Sequence, residues 1–132
     1  MALTTGRRGE VAITVGEADT AAALGSGDVP VLGTPRLLAL AEAATVRALD
    51  GALAPGQTSV GTRVWLEHTA ASPVGMPVTV AAELTRVDGR RVTFSIEAKD
   101  GHGTVAGRGT VERVVVDRDK FLARLPASPM LS

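Results

Sequence analysis

The sequence predicts one long helix and, in most of the remaining residues, the strands of a sheet that this helix has to cover. Apolar residues recur at helical spacing over residues 33–49, and Asp50-Gly51 supplies a stop signal after them. Downstream, four segments alternate apolar and polar residues with a period of two, which is typical of half-buried strands. The apolar face of such a sheet must be covered, so we expect the single long helix to lie across it.

The strand pattern can be followed along the chain, and two Asp-Gly pairs mark the sharpest turns. Asp88-Gly89 and Asp100-Gly101 suit tight hairpins, because glycine adopts the positive φ that such turns require. The sequence therefore predicts an α+β domain, with an antiparallel sheet of about five strands wrapped around one long central helix. The predicted strands cover residues 10–15, 59–68, 78–85, 92–97 and 103–117.

Two further segments complete the predicted architecture. Residues 16–30 are small and polar and form a long connection, so we predict a short helix or a flap beside a binding site. Near the end of the sequence, Asp117 or Asp119 can cap a short C-terminal helix. That helix is expected to lay Phe121, Leu122 and Leu125 on the fold, and residues 1–132 are predicted to form a single domain.

Composition argues against several classes of partner. The chain has one Trp, two Phe and no Tyr, so it has no aromatic series on which nucleic-acid bases could stack. Its 14 basic and 14 acidic residues leave no net charge to attract an anionic polymer or a membrane surface. We therefore expect no nucleic-acid partner and no membrane partner.

The absence of cysteine narrows the chemistry and the compartment. It excludes disulfides, thiolate catalysis and cysteine-ligated metal, and no metal site is predicted. The first ten residues, MALTTGRRGE, lack an apolar signal core, so we expect a cytoplasmic location.

Three polar residues lie at the start of the predicted helix, in its middle and at the end of a predicted strand. Thr34 precedes Pro35 and is predicted to be the N-cap, with Pro35 at the first helical position. Glu42 lies among apolar helix neighbours, where a carboxylate needs a partner or an altered charge state. His68 ends the apolar face of its strand and precedes a loop of small residues and prolines, TAASPVGMP.

Each of these residues also has a structural explanation that needs no reaction. A cap is a sufficient role for Thr34, and His68 can be a hydrogen-bonded histidine at a strand end. Glu42 can turn to solvent or pair with Arg36 or Arg47 on its own helix. The second histidine, His102, lies in the turn sequence DGHG and is predicted to be a solvated loop residue.

The order and spacing of Thr34, Glu42 and His68 resemble those of the hotdog-fold thioesterases, specifically the fluoroacetyl-CoA thioesterase-like family. The likeness continues through TAASPVGMPVTVAAEL, VDGRRVTFSIEAKDG and GRGTVERVVVD into DRDKFLARL, and so covers residues 30–125 approximately. The resemblance implies hydrolysis of an acyl-CoA or acyl-carrier thioester, with Thr34, Glu42 and His68 as the catalytic residues. Coenzyme A would be part of the substrate, and no separate cofactor is expected.

The chemistry of thioester hydrolysis gives each candidate a task. Backbone N–H groups at a helix N-terminus, where Gly33 and Thr34 lie, suit a developing oxyanion. His68 can exchange protons near neutrality, and Glu42 can orient it, activate water or attack as the nucleophile. The residues alone leave these three roles of Glu42 open, while the resemblance implies that Thr34 positions the carboxylate or the thioester carbonyl.

Substrate binding is assigned to further residues. The resemblance places Gly61, Gly75 and Met76 near the thioester and the pantetheine arm, although a turn alone would also explain a glycine. Aromatic lid residues of fluoroacetyl-selective members are absent from residues 16–32, so a different acyl group is expected. Five arginines near the hairpins could bind CoA phosphates or simply keep the sheet solvated. We assign Arg91 to substrate binding. The five are Arg86, Arg90, Arg91, Arg108 and Arg113.

Assembly and alternative functions complete the predictions. The resemblance implies a homodimer that joins its sheets at the strand carrying His68, with the second subunit contributing to each site. A non-catalytic module that binds acyl-CoA or lipid is the alternative. Hydration of an enoyl-CoA is less favoured, because the Asp-x-x-x-x-His pattern of such relatives is absent.

Overall fold

The computed structural model describes residues 3–129 and consists of one antiparallel sheet crossed by one long helix. The five strands lie in the order β1-β3-β4-β5-β2, and every pair of neighbours is antiparallel. A 3₁₀ turn at Glu17–Asp19 follows the first strand. The elements are β1 (Arg8–Thr14), α1 (Ala21–Leu24), α2 (Thr34–Ala48), β2 (Gln57–His68), β3 (Pro77–Asp88), β4 (Arg91–Asp100), β5 (Val105–Asp117) and α3 (Arg118–Ala123).

This architecture confirms the predicted fold class, because α2 packs against the apolar face of a five-stranded sheet. The alternating strands put one set of side chains on the helix and the other set in solvent, as the period-two pattern requires. The core is almost entirely aliphatic, with Phe94 as its one fully buried aromatic side chain within residues 3–129. Fully buried partners of α2 include Val80, Leu84, Val92, Phe94 and Val111.

The approach of α2 to β1 is unusually close and depends on Gly9. A Cβ atom added at Gly9 would overlap the backbone of α2 at Ala44 and Ala48. The alanines on this face of the helix are fully buried, so small side chains on both elements let the two backbones meet. The sheet is thereby held against the helix at β1, one of its two edge strands.

The prediction for the start of the long helix was wrong by one residue. Gly33, in extended conformation, is the N-cap, so Thr34 and Pro35 are the first two helical residues. The Thr34 hydroxyl does not cap its own helix because it bonds to a side chain 34 positions away. The helix therefore begins without a side-chain cap.

The C-terminal helix is also less buried than the sequence indicated. α3 forms directly after β5, with Asp117 at its N-cap and without a side-chain capping bond. Phe121 is partly buried, but Leu122 and Leu125 are 47% and 54% exposed. A helix of six residues reaches the sheet with one side only, which leaves the two leucines outside the core of a single chain.

The other predictions about connections hold. Residues 16–30 contain the predicted short helix, α1, and the Gly89-Arg90 turn joins β3 to β4 after Asp88. His102 is exposed in the β4–β5 turn, as expected for a solvated loop residue. Within the described part of the chain, none of the helices is long and apolar enough to cross a membrane.

Replacing Gly9 with alanine should destabilise the fold, since the new methyl group must displace the backbone of α2. We expect Gly9→Ala to lower the free energy of unfolding by about 2 kcal/mol, the cost of overpacking a core. Urea unfolding followed by circular dichroism measures this value. Gly27→Ala is the matched control, because its new Cβ would meet the Ala21 Cβ at an ordinary 3.4 Å. Equal losses in both variants would contradict the close contact.

Candidate active site

A hydrogen bond between Thr34 and His68 joins the start of α2 to the end of β2. The Thr34 Oγ1 atom lies 2.8 Å from His68 Nδ1, although the two residues are 34 positions apart in the chain. His68 reaches this place because β2 pairs with β5 up to its last residue, where His68 lies opposite Gly107. A hydroxyl in contact with an imidazole is a pair that can pass a proton.

The surroundings of His68 keep its ring neutral and leave one nitrogen without a partner. Desolvation by burial lowers the pKa of His68 below its ordinary value of 6.5. Its Nε2 atom is buried and has no hydrogen-bond partner among residues 3–129. A neutral imidazole that bonds through Nδ1 alone can accept a proton near pH 7.

A cavity of about 260 Å³ opens beside this pair, and the residues that line it are small or apolar. Thr34 and His68 are its polar groups at the junction of α2 and β2. The Thr34 N–H has no acceptor within residues 3–129, whereas the Gly33 N–H donates to Asp19 O at 2.9 Å. Of the two N–H groups predicted for an oxyanion, only that of Thr34 is therefore free. The other lining residues are Ala21, Ser26, Val31, Leu32, Thr69, Ala70 and Ala71.

The segment with α1 forms one wall of the cavity and is fastened to α2 by Asp19. The Asp19 carboxylate accepts a hydrogen bond from the Gly16 N–H and another from Arg36 Nε, each at 2.8 Å. These two bonds, with that of Gly16 the stronger, lower the pKa of Asp19 below 3.8. Gly33 meets the same wall, since a Cβ there would lie 2.9 Å from a methyl carbon of Leu24.

Glu42 occupies a second polar site, halfway along α2. Its Oε2 atom lies 3.3 Å from Arg113 Nη1 on β5, so it pairs with neither Arg36 nor Arg47. Arg113 is only 8% exposed at its side chain and also donates to Ser59, through Nε to the hydroxyl at 2.9 Å and through Nη2 to the carbonyl at 3.1 Å. Burial lowers the pKa of Arg113, while Glu42 acts in the opposite direction.

Gly61 makes room for the Glu42 carboxylate at a β-bulge of β2. A Cβ atom at Gly61 would overlap Glu42 Oε2, and the register with β5 shifts between Gly61 and Arg63. Any larger residue would push the carboxylate away from Arg113. Gly61 thus has a steric role beside Glu42, and its assignment to the substrate stays a prediction.

The structure does not bring all three predicted catalytic residues together in one chain. Thr34 and Glu42 are eight residues apart on α2, which corresponds to about 12 Å along the helix axis. Thr34 contacts His68, and Glu42 contacts Arg113, so a single chain holds two separate halves of the constellation.

The half that contains Glu42 faces outward along the free edge of β2. Glu42 is 38% exposed at its side chain, and Val46, one turn further along α2, is 51% exposed. In the sheet order β2 is the last strand, and it pairs with β5 only. An exposed valine and a half-exposed carboxylate on the central helix therefore lie beside twelve residues of unpaired strand edge.

The remaining predicted binding residues are distributed around the fold. Gly75 forms a turn and donates to Val15 O, and Met76 packs against the core. Arg91 lies on the solvent face of the sheet, with its Nε atom 3.7 Å from Glu112 Oε1. None of these three contacts Thr34 or His68, and their assignment to the substrate stays a prediction.

Sequence reasoning missed Arg113 as a site residue, because it was grouped with arginines near the hairpins. Alternation along β5 offered a signal: Val111, Arg113 and Val115 share the buried face. A basic residue among buried neighbours needs an acidic partner, and Glu42 was the acid without one. Predicting the contact between Arg113 and Glu42 would have required the position of α2 relative to β5, which local sequence patterns do not give.

Comparison with known proteins identifies relatives of the chain in sequence and in fold. A fluoroacetyl-CoA thioesterase of Streptantibioticus cattleyicolor is 44% identical over 95 residues, which make up 72% of this chain and 68% of that protein. A solved structure of the fluoroacetyl-CoA thioesterase FlK superposes with a TM-score of 0.85 at 36% identity and covers 96% of this chain and 100% of its own. A thioesterase superfamily member of Thermus thermophilus has a TM-score of 0.87 at 27% identity, covering 92% of this chain and 90% of its own.

The fold and its relatives define a hotdog-fold thioester hydrolase. The model of the FlK family, described as fluoroacetyl-CoA-specific thioesterase, matches residues 15–119. The chain belongs to that family, and the resemblance noted in its sequence is confirmed.

The lowered pKa of His68 predicts a loss of stability in mild acid. The unfolded chain takes up a proton near pH 6.5, whereas the folded chain does so only at lower pH, so the free energy of unfolding falls as pH drops below about 6.5. Urea unfolding at about pH 7.5 and pH 5.5 measures this change. In His68→Gln the change should shrink, and an equal change in both proteins would contradict the lowered pKa.

Proposed function

We propose that this protein hydrolyses an acyl-CoA thioester to a free acid and CoA, with Thr34, Glu42 and His68 in the reaction centre. The hydrogen bond between Thr34 Oγ1 and His68 Nδ1 beside a cavity carries the proposal. Variants of the related enzyme FlK have been solved with ligands, among them one with acetyl-CoA and one with fluoroacetate and CoA. These ligands support a CoA thioester as the substrate class, and a cytoplasmic location stays a prediction.

In the proposed reaction, water adds to the thioester carbonyl while the Thr34–His68 pair receives its proton. The attacking water gives a proton to the Thr34 hydroxyl, which passes its own proton to His68 Nδ1. The developing oxyanion accepts a hydrogen bond from the unused N–H of Thr34 at the start of α2. The carbon–sulfur bond then breaks, CoA leaves as a thiolate, and the proton on His68 neutralises it.

Glu42 acts on this centre as an orienting group. Arg113 already neutralises its charge, so the carboxylate suits holding the attacking water better than attacking the carbonyl itself. Within one chain the separation along α2 keeps it from Thr34. The proposal therefore requires Glu42 to come from a second copy of the chain.

A homodimer formed through β2 would supply that copy. The free edge of β2 offers twelve residues of unpaired backbone, and pairing two such edges removes an aggregation-prone surface. Antiparallel pairing about a two-fold axis places the start of one β2 beside the end of the other. His68 of one protomer then lies along the partner's Gln57–Gly61 segment, which carries the Ser59–Arg113–Glu42 contacts.

Substitutions in the reaction centre should abolish thiol release without unfolding the protein. We expect Thr34→Val and His68→Gln to lower kcat about 10²- to 10⁴-fold, the usual worth of proton transfer, and Glu42→Gln about tenfold or more. Release of free thiol from a panel of acyl-CoAs of increasing length measures these rates and identifies the acyl group.

The controls for this experiment are the second histidine and an exposed glutamate. His102→Gln and Glu97→Gln change the same residue types away from the site and should retain the wild-type rate. Wild-type rates in Thr34→Val, His68→Gln and Glu42→Gln would remove these residues from the mechanism. Retention of acyl-CoA without thiol release would instead support the non-catalytic binding module.

A dimer that carries two different substitutions tests whether each site uses both protomers. One chain carries Glu42→Gln, the other carries His68→Gln, and two different affinity tags isolate the heterodimer. If Glu42 acts across the interface, one of the two sites contains only wild-type residues, and activity returns to about half of the wild-type value. Light scattering should give twice the 13.5 kDa mass of one chain.

The same heterodimer can contradict the proposal. If each chain used its own Glu42 and His68, both sites would carry one substitution, and activity would stay as low as in the parent variants. The matched control pairs Thr34→Val with His68→Gln. These two residues lie in contact within one chain, so each site of this heterodimer carries one substitution and activity should stay low. Recovery of activity here would contradict the pairing of Thr34 with His68 of its own chain. A monomer in light scattering would also end the proposal.

A further inference from the structure

A second cavity, of about 430 Å³, lies at the far end of β5 and is roofed by α3. Residues spaced as on one helix face, at positions 117, 120, 121 and 124, form the roof. Its floor is the last part of β5, and the β3–β4 turn closes one side. We call it the β5–α3 cavity. The lining residues on which its binding properties depend are Arg90, Val114, Asp117, Lys120, Phe121 and Arg124.

The β5–α3 cavity carries an excess of positive charge. Three basic side chains face one carboxylate, that of Asp117. The distances from Asp117 Oδ2 to Arg90 Nη2 and Lys120 Nζ are 3.5 and 3.9 Å, which are long for charged pairs. Within residues 3–129, Arg124 forms no ion pair. Basic side chains that form only long ion pairs within the protein can still bind an anionic ligand.

The rest of the lining is apolar and includes an aromatic ring. Phe121 and Val114 lie next to the basic side chains, so a ligand can place a flat ring on carbon atoms and phosphates on nitrogen donors. Stacking on an aromatic side chain suits any purine or pyrimidine base. This combination points to a phosphorylated nucleoside as the ligand class.

We propose that the β5–α3 cavity binds the phosphorylated adenosine end of the CoA thioester whose acyl end reacts in the partner subunit. This inference rests on the proposed function and on the dimer through β2. Gln57 is paired with Asp117, and the proposed dimer places the partner's His68 beside Gln57. The cavity then lies about two strand spacings, roughly 10 Å, from that histidine, and the pantetheine arm spans the gap.

This assignment differs from the prediction that named Arg91. Arg91 is paired with Glu112 on the solvent face of the sheet, whereas its neighbour Arg90 lines the cavity. Lys120 and Arg124 lie outside the predicted hairpins, in and directly after α3. The basic groups that meet the nucleotide thus come from α3 and from the turn after β3.

Direct binding of adenosine 3′,5′-bisphosphate to the full chain tests the inference without any reaction. Isothermal titration calorimetry at low ionic strength should detect binding by the wild-type protein, and added salt should weaken it. In the double variant Lys120→Ala/Arg124→Ala we expect Kd to rise about tenfold. Arg8→Ala is the control, because Arg8 is an exposed arginine on β1 at the opposite edge of the sheet.

Phe121→Leu tests the aromatic ring separately. Leucine keeps an apolar side chain and removes the stacking surface, so Kd for the bisphosphate should rise severalfold. Affinity for inorganic phosphate should be much weaker than for the bisphosphate and should not respond to Phe121→Leu. Equal affinity for the two probes would overturn a nucleotide site.

Kinetics provide the second readout. In Lys120→Ala/Arg124→Ala the preference for acyl-CoA over the matching acyl-pantetheine, which lacks the nucleotide, should fall about tenfold. No bisphosphate binding by the wild-type protein, or an unchanged Kd in the double variant, would overturn the inference. Binding without thiol release would keep the inference and remove hydrolysis from the proposed function, so the two failures are distinguishable.

Discussion

The burial of α2 against the sheet is the constraint on which the other features depend. Small residues on the helix and Gly9 on β1 let the two backbones meet, and that contact fixes both the height and the rotation of the helix. The helix then holds three of its residues, Thr34, Glu42 and Val46, at fixed positions relative to the sheet. Thr34 reaches His68, Glu42 reaches Arg113, and Val46 is left at the free edge of β2.

Local patterns in the sequence were sufficient for the fold. The alternation in residues 10–15 and 59–117 and the single helical period between them predict five strands and one long helix, since burial on one face imposes both periods. The family resemblance added the grouping of Thr34, Glu42 and His68, of which one chain brings Thr34 and His68 into contact. Two predictions about the helix ends were wrong because local spacing does not show tertiary contacts. Thr34 was predicted to cap its helix but contacts His68, and Leu122 and Leu125 were predicted to pack on the fold but are exposed.

Long-range polar contacts are the part of the site that the sequence could not supply. Glu42 and Arg113 are separated by 71 positions, and their contact depends on the crossing of α2 with β5. Gly61 shows the same limit, because its role follows from the position of a carboxylate on another element. Such contacts are set by register and by the angle between elements, and neither is encoded in the period of a single segment.

The anchoring of α1 through Asp19 has a consequence for how a substrate enters. Asp19 binds Gly16 and Arg36 through its carboxylate and Gly33 through its carbonyl, so the cavity wall is tied to the helix that bears Thr34. Displacing that wall would break an ion pair and backbone bonds together, which makes it the slow and costly route of opening. The opposite wall, at Thr69–Ala71, is tied to Ala106 by two backbone bonds at its start, and the next residue, Ser72, accepts a bond from the Leu32 N–H at 2.8 Å. The wall that carries α1 is therefore expected to keep its shape when a substrate enters, so a substrate has to fit this wall rather than displace it.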